Sequence, residues 1–284
     1  MSDDISVLRS VLYMPSSNAR ALEKAKTIAA DAIIFDLEDA VAPDAKETAR
    51  DQAAAAVQSG EYGRRQLTIR CNGLDTPWGE DDLRAAGQAR PDAVVVPKVS
   101  GTAHLDRVSA LLPEGTAVWA MVETPTAVFD VRAIAGHPQV QALVLGTNDL
   151  AKELRAALAP GRAALLPHLA TALLGGREAG IAVLDGVWND VRDLEGFEDE
   201  ARQGVALGFD GKTLVHPTQV EVANRLWAPS PEEVTAARAV VEAFEEAERD
   251  GRGVVVVDGR MVENLHRDNA LRTLATADAI AAKG

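Results

Sequence analysis

Eight short apolar runs recur along the chain, at 8–14, 32–37, 66–71, 92–97, 117–122, 141–146, 180–185 and 210–215. Between and after them, segments 19–30, 44–58, 78–89, 102–112, 126–136, 162–179, 194–207 and 217–226 carry Ala, Leu, Glu and Arg at the spacing of amphipathic helices. Apolar runs that do not alternate with polar residues are strands buried on both faces, and intervening helices supply the crossovers that parallel strands require. An open doubly wound sheet would show the same alternation. No GxGxxG follows the first run, however, and eight repeats are the number that closes a barrel, so the expectation is an α/β chain folded as a TIM (β/α)8 barrel.

In such a barrel the residues that follow the strands share one rim, and that rim is where the chemistry is done. The stretches IIFDLEDA, LTIRCNG, VVVPKV, AMVETP, LVLGTNDL, AVLDG and KTLVHP place Glu38, Asp39, Arg70, Lys98, Glu123, Asp149, Asp185 and His216 there.

Glu123 follows the fifth run and Asp149 the sixth, so the two carboxylates stand side by side. With few histidines nearby, they suit Mg²⁺, which takes one or two protein carboxylates and fills its other positions with water and substrate oxygens. The competing reading makes each acid part of a helix start, at Thr124-Pro125 and at the GTND turn. Arg70 presents a planar double donor that can clamp a carboxylate or an enolate oxygen, or can pair with Glu38 or Asp39. Gly146, Thr147 and Asn148 form a tight turn whose N–H groups can hold a ligand carboxylate, with Asn148 alternatively a simple cap. Lys98 reads as an anion anchor or a Schiff-base lysine; Asp185 and His216 read as structural.

Composition removes other classes of function. Acids outnumber lysine plus arginine, 43 to 29, for a net charge of −14, and no basic cluster offers a surface to nucleic acid. No apolar stretch approaches a membrane span, and MSDDISVLRS lacks a signal-peptide core, so a cytoplasmic protein is expected. Cys71 is the only cysteine, which excludes an internal disulfide and thiolate metal clusters and reads as a buried structural thiol. GxSxG, Walker, HExxH and CxxC motifs are all missing, leaving metal-assisted carbon chemistry on a small carboxylate.

Beyond residue 227 the repeat stops. WAPSPEEV offers Ser230 as a helix cap, with a helix running to about Glu248; RDGRGVVVVDGRMVENLH reads as a strand or hairpin, and 266–282 as a final helix. The expected division is a barrel at 1–227 and an extension at 228–284 that serves as a lid or a subunit-swapped arm.

RSVLYMP, FDLEDAVAPDAKETAR, IRCNGLDTPWG, VVVPKV, MVETP, GTNDLAKEL, GFDGKTLVHPTQV and DGRMVENLH follow one another in an order and spacing that resembles the citrate lyase beta subunit-like family. That family includes malyl-CoA and citramalyl-CoA lyases within the HpcH/HpaI aldolase group. The resemblance implies a Mg²⁺-dependent carbon–carbon lyase that cleaves a citryl-, malyl- or citramalyl-type thioester, on CoA or a carrier, into an acetyl thioester and a 2-keto acid. It implies Glu123 and Asp149 as metal ligands and Arg70 as the positive group facing substrate oxygens. Relatives use an aspartate of a MID-type segment, reaching a neighbouring subunit's site, for proton transfer; here Glu263 stands at that place. Relatives also often carry an acid where Asn148 precedes Asp149. A homo-oligomer, trimer or hexamer, is implied. The alternatives are a malyl-CoA thioesterase or a condensing synthase on the same scaffold, and a thioester-binding subunit that works with other lyase subunits.

Overall fold

In the computed structural model, the described residues are 7–249, 255–257 and 260–283. The chain divides into two compact units, Leu8–Arg225 and a second that contains Val7 and the residues from Leu226 onward.

In the first unit, strands β1 (Ser10–Pro15), β2 (Ala32–Asp36), β3 (Gln66–Arg70), β4 (Ala93–Val96), β5 (Val118–Val122), β6 (Val140–Leu145), β7 (Ala182–Asp185) and β8 (Gly211–Leu214) close a parallel barrel in sequence order. Between and after them come α1 (Ala19–Ala25), α2 (Lys46–Gln58), α3 (Gly79–Ala89), α4 (Thr102–Ser109), α5 (Pro125–Phe129), α6 (Val131–Ala135), α7 (Thr147–Leu154), α8 (Leu166–Ala179), α9 (Leu194–Leu207) and α10 (Val220–Leu226). This is the expected (β/α)8 barrel. The strands read as unbroken apolar runs because both faces are buried. Ala32 and Ile34, Ala93 and Val95, Trp119 and Met121, and Ala142 and Val144 pack together from four strands as one cluster, while the intervening Ile33, Val94, Ala120 and Leu143 are also fully buried.

The helices differ in detail from the sequence expectation. Segment 126–136 is two helices: the Asp130 N–H donates to the Thr126 carbonyl and the Ile134 N–H to the Asp130 carbonyl, but Asp130 itself leaves helical geometry (φ −96°, ψ 6°). The helix expected from 162 begins at Leu166, where Pro167 occupies the first turn that suits proline. Helix α7 follows β6 after the single residue Gly146 and is absent from the segments the periodicity marks; its eight residues are too few to separate from the preceding strand by spacing alone.

The second unit holds α11 (Pro231–Arg249), an antiparallel pair β9 (Val255–Val257) and β10 (Arg260–Val262), and α12 (Asn264–Lys283). Ser230 caps α11 reciprocally, its Oγ accepting from the Glu233 N–H (3.1 Å) while the Ser230 N–H donates to Glu233 Oε2 (2.8 Å). Phe244, Ala247 and Val255 form its small core, and Lys283 Nζ donates to the Val7 carbonyl (2.8 Å). The hairpin read from the sequence is present as β9 and β10, with residues 250–254 and 258–259 outside the described set. Most of the stretch read for a signal peptide, residues 1–6, also lies outside it. Among the described residues no helix is long and apolar enough to cross a membrane.

Candidate active site

The strand ends surround a cavity of about 420 Å³ lined by Tyr13, Asp36, Asp39, Arg70, Glu123, Gly146, Thr147, Asn148, Asp149 and Asn189, with Met121, Leu145, Val187 and Val215 as its apolar part. It thus gathers Arg70, Glu123, Asp149 and the Gly146–Asn148 turn, all of which the sequence assigned to one rim.

Glu123 sits immediately after β5 and is 2% exposed. Its Oε1 accepts a hydrogen bond from the Lys98 main-chain N–H at 2.6 Å, and no cationic side chain touches it among the described residues. Burial pushes its carboxyl up to about 7, with the Asp149 charge adding to the rise and the Lys98 N–H and Arg70 opposing it. Asp149 stands in the first turn of α7, half-buried, and its carboxylate accepts no hydrogen bond among the described residues. Helix capping does not account for either acid: Thr124 Oγ1 caps α5 by accepting from the Ala127 N–H (3.1 Å), and Gly146 occupies the cap position of α7. Two acids held side by side, one of them dehydrated and lacking a counter-ion in contact, repel each other until a cation enters. Two carboxylates that leave several positions to water and ligand are a donor set Mg²⁺ accepts, although among the described residues no group of three or more His, Cys, Asp or Glu is placed to hold a metal.

Gly146 brings the chain against Glu123. A Cβ at this position would lie 2.3 Å from Glu123 Oε2, so glycine lets β6 turn into α7 with the carboxylate where it stands. The first N–H groups of α7 belong to Thr147, Asn148 and Asp149, at the helix end that attracts negative charge.

Arg70 is 7% exposed and sits beneath this floor. Both expected partners, Glu38 and Asp39, lie within ion-pair distance of Arg70, but a third acid that was not expected holds it more tightly. Asp36 takes it in two-point contact, Nε to Oδ1 and Nη2 to Oδ2, both 2.7 Å, and Glu38 Oε2 lies 2.9 Å from Nη1; Asp39 is more distant at 3.5 Å. The ring of Tyr13 covers the guanidinium, 4.7 Å from centroid to Cζ. Two of its five N–H groups thus donate to Asp36, Nη1 is in ion-pair contact with Glu38 and Asp39, and the guanidinium also lines the cavity. Burial works against the charge, but Asp36 and Glu38 overcome it and hold the Arg70 pKa well above its ordinary value. Glu38 is itself pushed up to about 7, because burial outweighs an Arg70 charge already shared with Asp36.

Lys98 is exposed and adopts left-handed backbone (φ 50°). Its Nζ lies 3.6 Å from Glu38 Oε1, and although partial burial works against the ammonium, Glu38, Asp149 and Glu123 raise its pKa. It is an anchor among acids, not the neutral amine a Schiff base needs. Asn148 is not a cap, since Gly146 holds the cap position without a side-chain bond; Asn148 instead exchanges hydrogen bonds with Asn189, Nδ2 to Oδ1 at 3.2 Å and 2.8 Å, joining the loops after β6 and β7.

Asp185 and His216 are structural, as expected. Asp185 is fully buried, with Arg162 Nη1 on one oxygen (2.7 Å) and Lys212 Nζ on the other (2.9 Å), and Lys212 also reaches Glu200 (2.9 Å). His216 caps the short 3-10 turn Pro217–Gln219. Sequence reasoning missed Asp36, Asn189, Arg162 and Lys212. Asp36 and Lys212 carried a signal, since a charged residue inside an otherwise apolar strand must find a partner across the sheet.

A family model described as HpcH/HpaI aldolase/citrate lyase matches residues 9–217, and one described as a C-C bond lyase of the TIM-barrel fold matches 163–281. A "(3S)-malyl-CoA thioesterase" of Cereibacter sphaeroides is 50% identical over 282 residues, spanning 99% of each chain. The citrate lyase subunit beta of Escherichia coli is 34% identical over 281 residues, spanning 95% of this chain and 93% of that protein. Among solved structures, the CitE protein of Mycobacterium tuberculosis in complex with magnesium, acetoacetate and coenzyme A superposes with a TM-score of 0.78 at 29% identity, covering 95% of this chain and 97% of the other.

Proposed function

Because the chain belongs to the HpcH/HpaI aldolase/citrate lyase family, we propose that it is a cytoplasmic, Mg²⁺-dependent enzyme acting on the CoA thioester of a small hydroxy acid, and that it hydrolyses malyl-CoA to malate and CoA. The observation that carries this reading is the buried Glu123 beside Asp149 in the same cavity as an Arg70 fixed by Asp36. Hydrolysis stands first because the malyl-CoA thioesterase relative is 50% identical end to end, against 34% for the citrate lyase subunit.

Glu123 and Asp149 would hold Mg²⁺, which when bound supplies a Lewis acid for the oxygens of the hydroxy acid. The chain's own groups do the rest. Arg70, fixed by Asp36, offers N–H donors in a rigid fork to a ligand carboxylate or to the oxygen on which charge develops. The opening turn of α7 presents the Thr147 and Asn148 N–H groups to a carboxylate. The Asp39 side chain, 70% exposed beside Arg70, marks a mouth open to water. In hydrolysis a water oxygen bonds to the thioester carbonyl carbon, the C–S bond breaks, and the sulfur leaves as CoA thiol with a proton from that water.

The second reading, carbon–carbon cleavage to acetyl-CoA and glyoxylate, is favoured by the family itself and by the citrate lyase relatives. It needs a group that protonates the enolate carbon, and Glu263 is the candidate. Glu263 is exposed just before α12, where its N–H donates to His266 Nδ1 (3.0 Å). If a second copy supplies it, the enzyme is a homo-oligomer, which light scattering on the purified protein reads directly. Co-location of Arg70, Glu123 and Asp149 argues against a subunit that only binds thioester.

Product analysis tests the proposal. With malyl-CoA and Mg²⁺, hydrolysis releases malate and free thiol in equal amounts, whereas cleavage gives acetyl-CoA and glyoxylate without free thiol. Turnover unaffected by EDTA would refute the metal assignment.

A further inference from the structure

Lys98 reaches the acids of the cavity in two ways, through its ammonium and through its main chain, and the main chain makes the closer contact. Its N–H lies 2.6 Å from Glu123 Oε1, while Nζ stands 3.6 Å from Glu38. The N–H points there because Lys98 adopts φ 50°, a left-handed conformation uncommon in residues that carry a side chain. Strain of this kind persists where the surroundings impose it, and here it turns the loop after β4, a strand none of whose residues lines the cavity, so that its amide faces the carboxylate. On the opposite side Gly146 packs against Oε2 so closely that no Cβ fits.

We propose that Lys98 is a positioning residue acting through its main-chain amide: the left-handed turn holds Glu123 Oε1 in a hydrogen bond and leaves Oε2 as the single oxygen that Glu123 presents to the cation. This rests on the reading of Glu123 as a Mg²⁺ ligand, and it assigns the coordination mode and the residue that sets it. Hydrogen-bonded partners of metal-binding carboxylates fix ligand orientation in this manner. The amide performs the task without bringing a second charge onto the ligand, and the ammonium remains free to balance Glu38.

Two substitutions separate amide from ammonium. Lys98→Gly removes the charge but keeps the N–H in a conformation glycine adopts without strain. Lys98→Val keeps an N–H but disfavours positive φ, since a branched Cβ clashes there. Calorimetric titration with Mg²⁺ should show Lys98→Gly within about threefold of the wild type and Lys98→Val weaker by about tenfold or more, the usual effect of losing an orienting partner, with both variants folded by circular dichroism. Equal affinity in all three proteins would overturn the proposal, as would a loss in Lys98→Gly as large as in Lys98→Val, which would assign the effect to the ammonium. A second readout does not depend on the metal. The Lys98 amide proton should resonate far downfield in the NMR spectrum of the metal-free protein and move upfield in Glu123→Gln. An amide proton indifferent to that substitution overturns the clamp. A shift that responds in a protein that binds no Mg²⁺ sustains the clamp and rejects the metal reading alone.

Discussion

Asp36 and Arg70 are register partners on β2 and β3, and their side chains meet in a two-point ion pair with both contacts at 2.7 Å, buried at the floor of the cavity. Parallel pairing places the two α-carbons side by side, and the planar guanidinium does the rest by matching both carboxylate oxygens at once. The pair leaves Arg70 no freedom to follow a ligand; a substrate must come to it.

Removing Asp36 deprives the buried Arg70 of its two-point partner and leaves it Glu38 and the more distant Asp39. Asp36→Ala should therefore destabilise the fold by about 1–3 kcal/mol, read by urea unfolding. Arg70→Lys, which keeps the charge but not the fork, should lower kcat/KM for malyl-CoA by about 100-fold while Mg²⁺ affinity stays near that of the wild type. A parallel loss of metal binding would show that Arg70 supports the metal site and not the substrate.

Gly146→Ala probes the opposite wall. Gly146 has ordinary negative φ (−92°), so the backbone accepts alanine, but the new Cβ would lie 2.3 Å from Glu123 Oε2. It would also lie 2.5 Å from Glu123 Cβ, so the whole Glu123 side chain must shift, at a cost of about 1–3 kcal/mol in stability, and Mg²⁺ binding should weaken by at least about tenfold. Unchanged affinity would show that Glu123 can move without harm to the site.

Glu38 gives the protein a pH dependence of defined sign. Its unfolded value is about 4.3, and burial raises it to about 7 in the fold. A carboxyl raised by folding contributes stability that is fully present below about pH 4.3 and is lost as the pH climbs through about 7, a change of roughly 4 kcal/mol. Glu38→Gln cannot titrate. The difference in unfolding free energy between variant and wild type should thus move in the variant's favour from pH 5 to pH 8, and a constant difference would contradict the account.

How far the sequence reached can be argued from these residues. The barrel was legible because each strand buries both faces, so that runs such as AIIFD and AVVV needed no polar alternation. The rim acids were legible because they stand directly after those runs. Asp36 was legible only as a strand charge in need of a partner; that the partner is Arg70 follows from the β2–β3 register, which spacing does not encode. Helix α7 was hidden by its one-residue connection to β6, and the Lys98 clamp by a backbone angle that no residue preference for lysine announces.

Asp185, Arg162, Lys212 and Glu200 form a buried charge network away from the proposed chemistry. Burial raises the Asp185 carboxyl, but Lys212 and Arg162 outweigh it and hold it below its ordinary value. A carboxyl lowered by folding contributes stability above its unfolded pKa of about 3.9 that is lost as the pH falls through its folded value, so this site adds to acid unfolding. Lys212→Met should destabilise by about 3–5 kcal/mol at pH 7, while Mg²⁺ affinity of the folded fraction stays unchanged. Loss of metal binding by the folded variant would connect the network to the active site.

The most direct test of the account is a calorimetric titration of Mg²⁺ into the wild-type protein and into Asp149→Ala and Glu123→Gln, each verified as folded by circular dichroism. One Mg²⁺ should bind per wild-type chain, with no detectable binding in either variant. Wild-type affinity in folded Asp149→Ala would contradict the assignment of the paired carboxylates at the ends of β5 and β6 as the metal site.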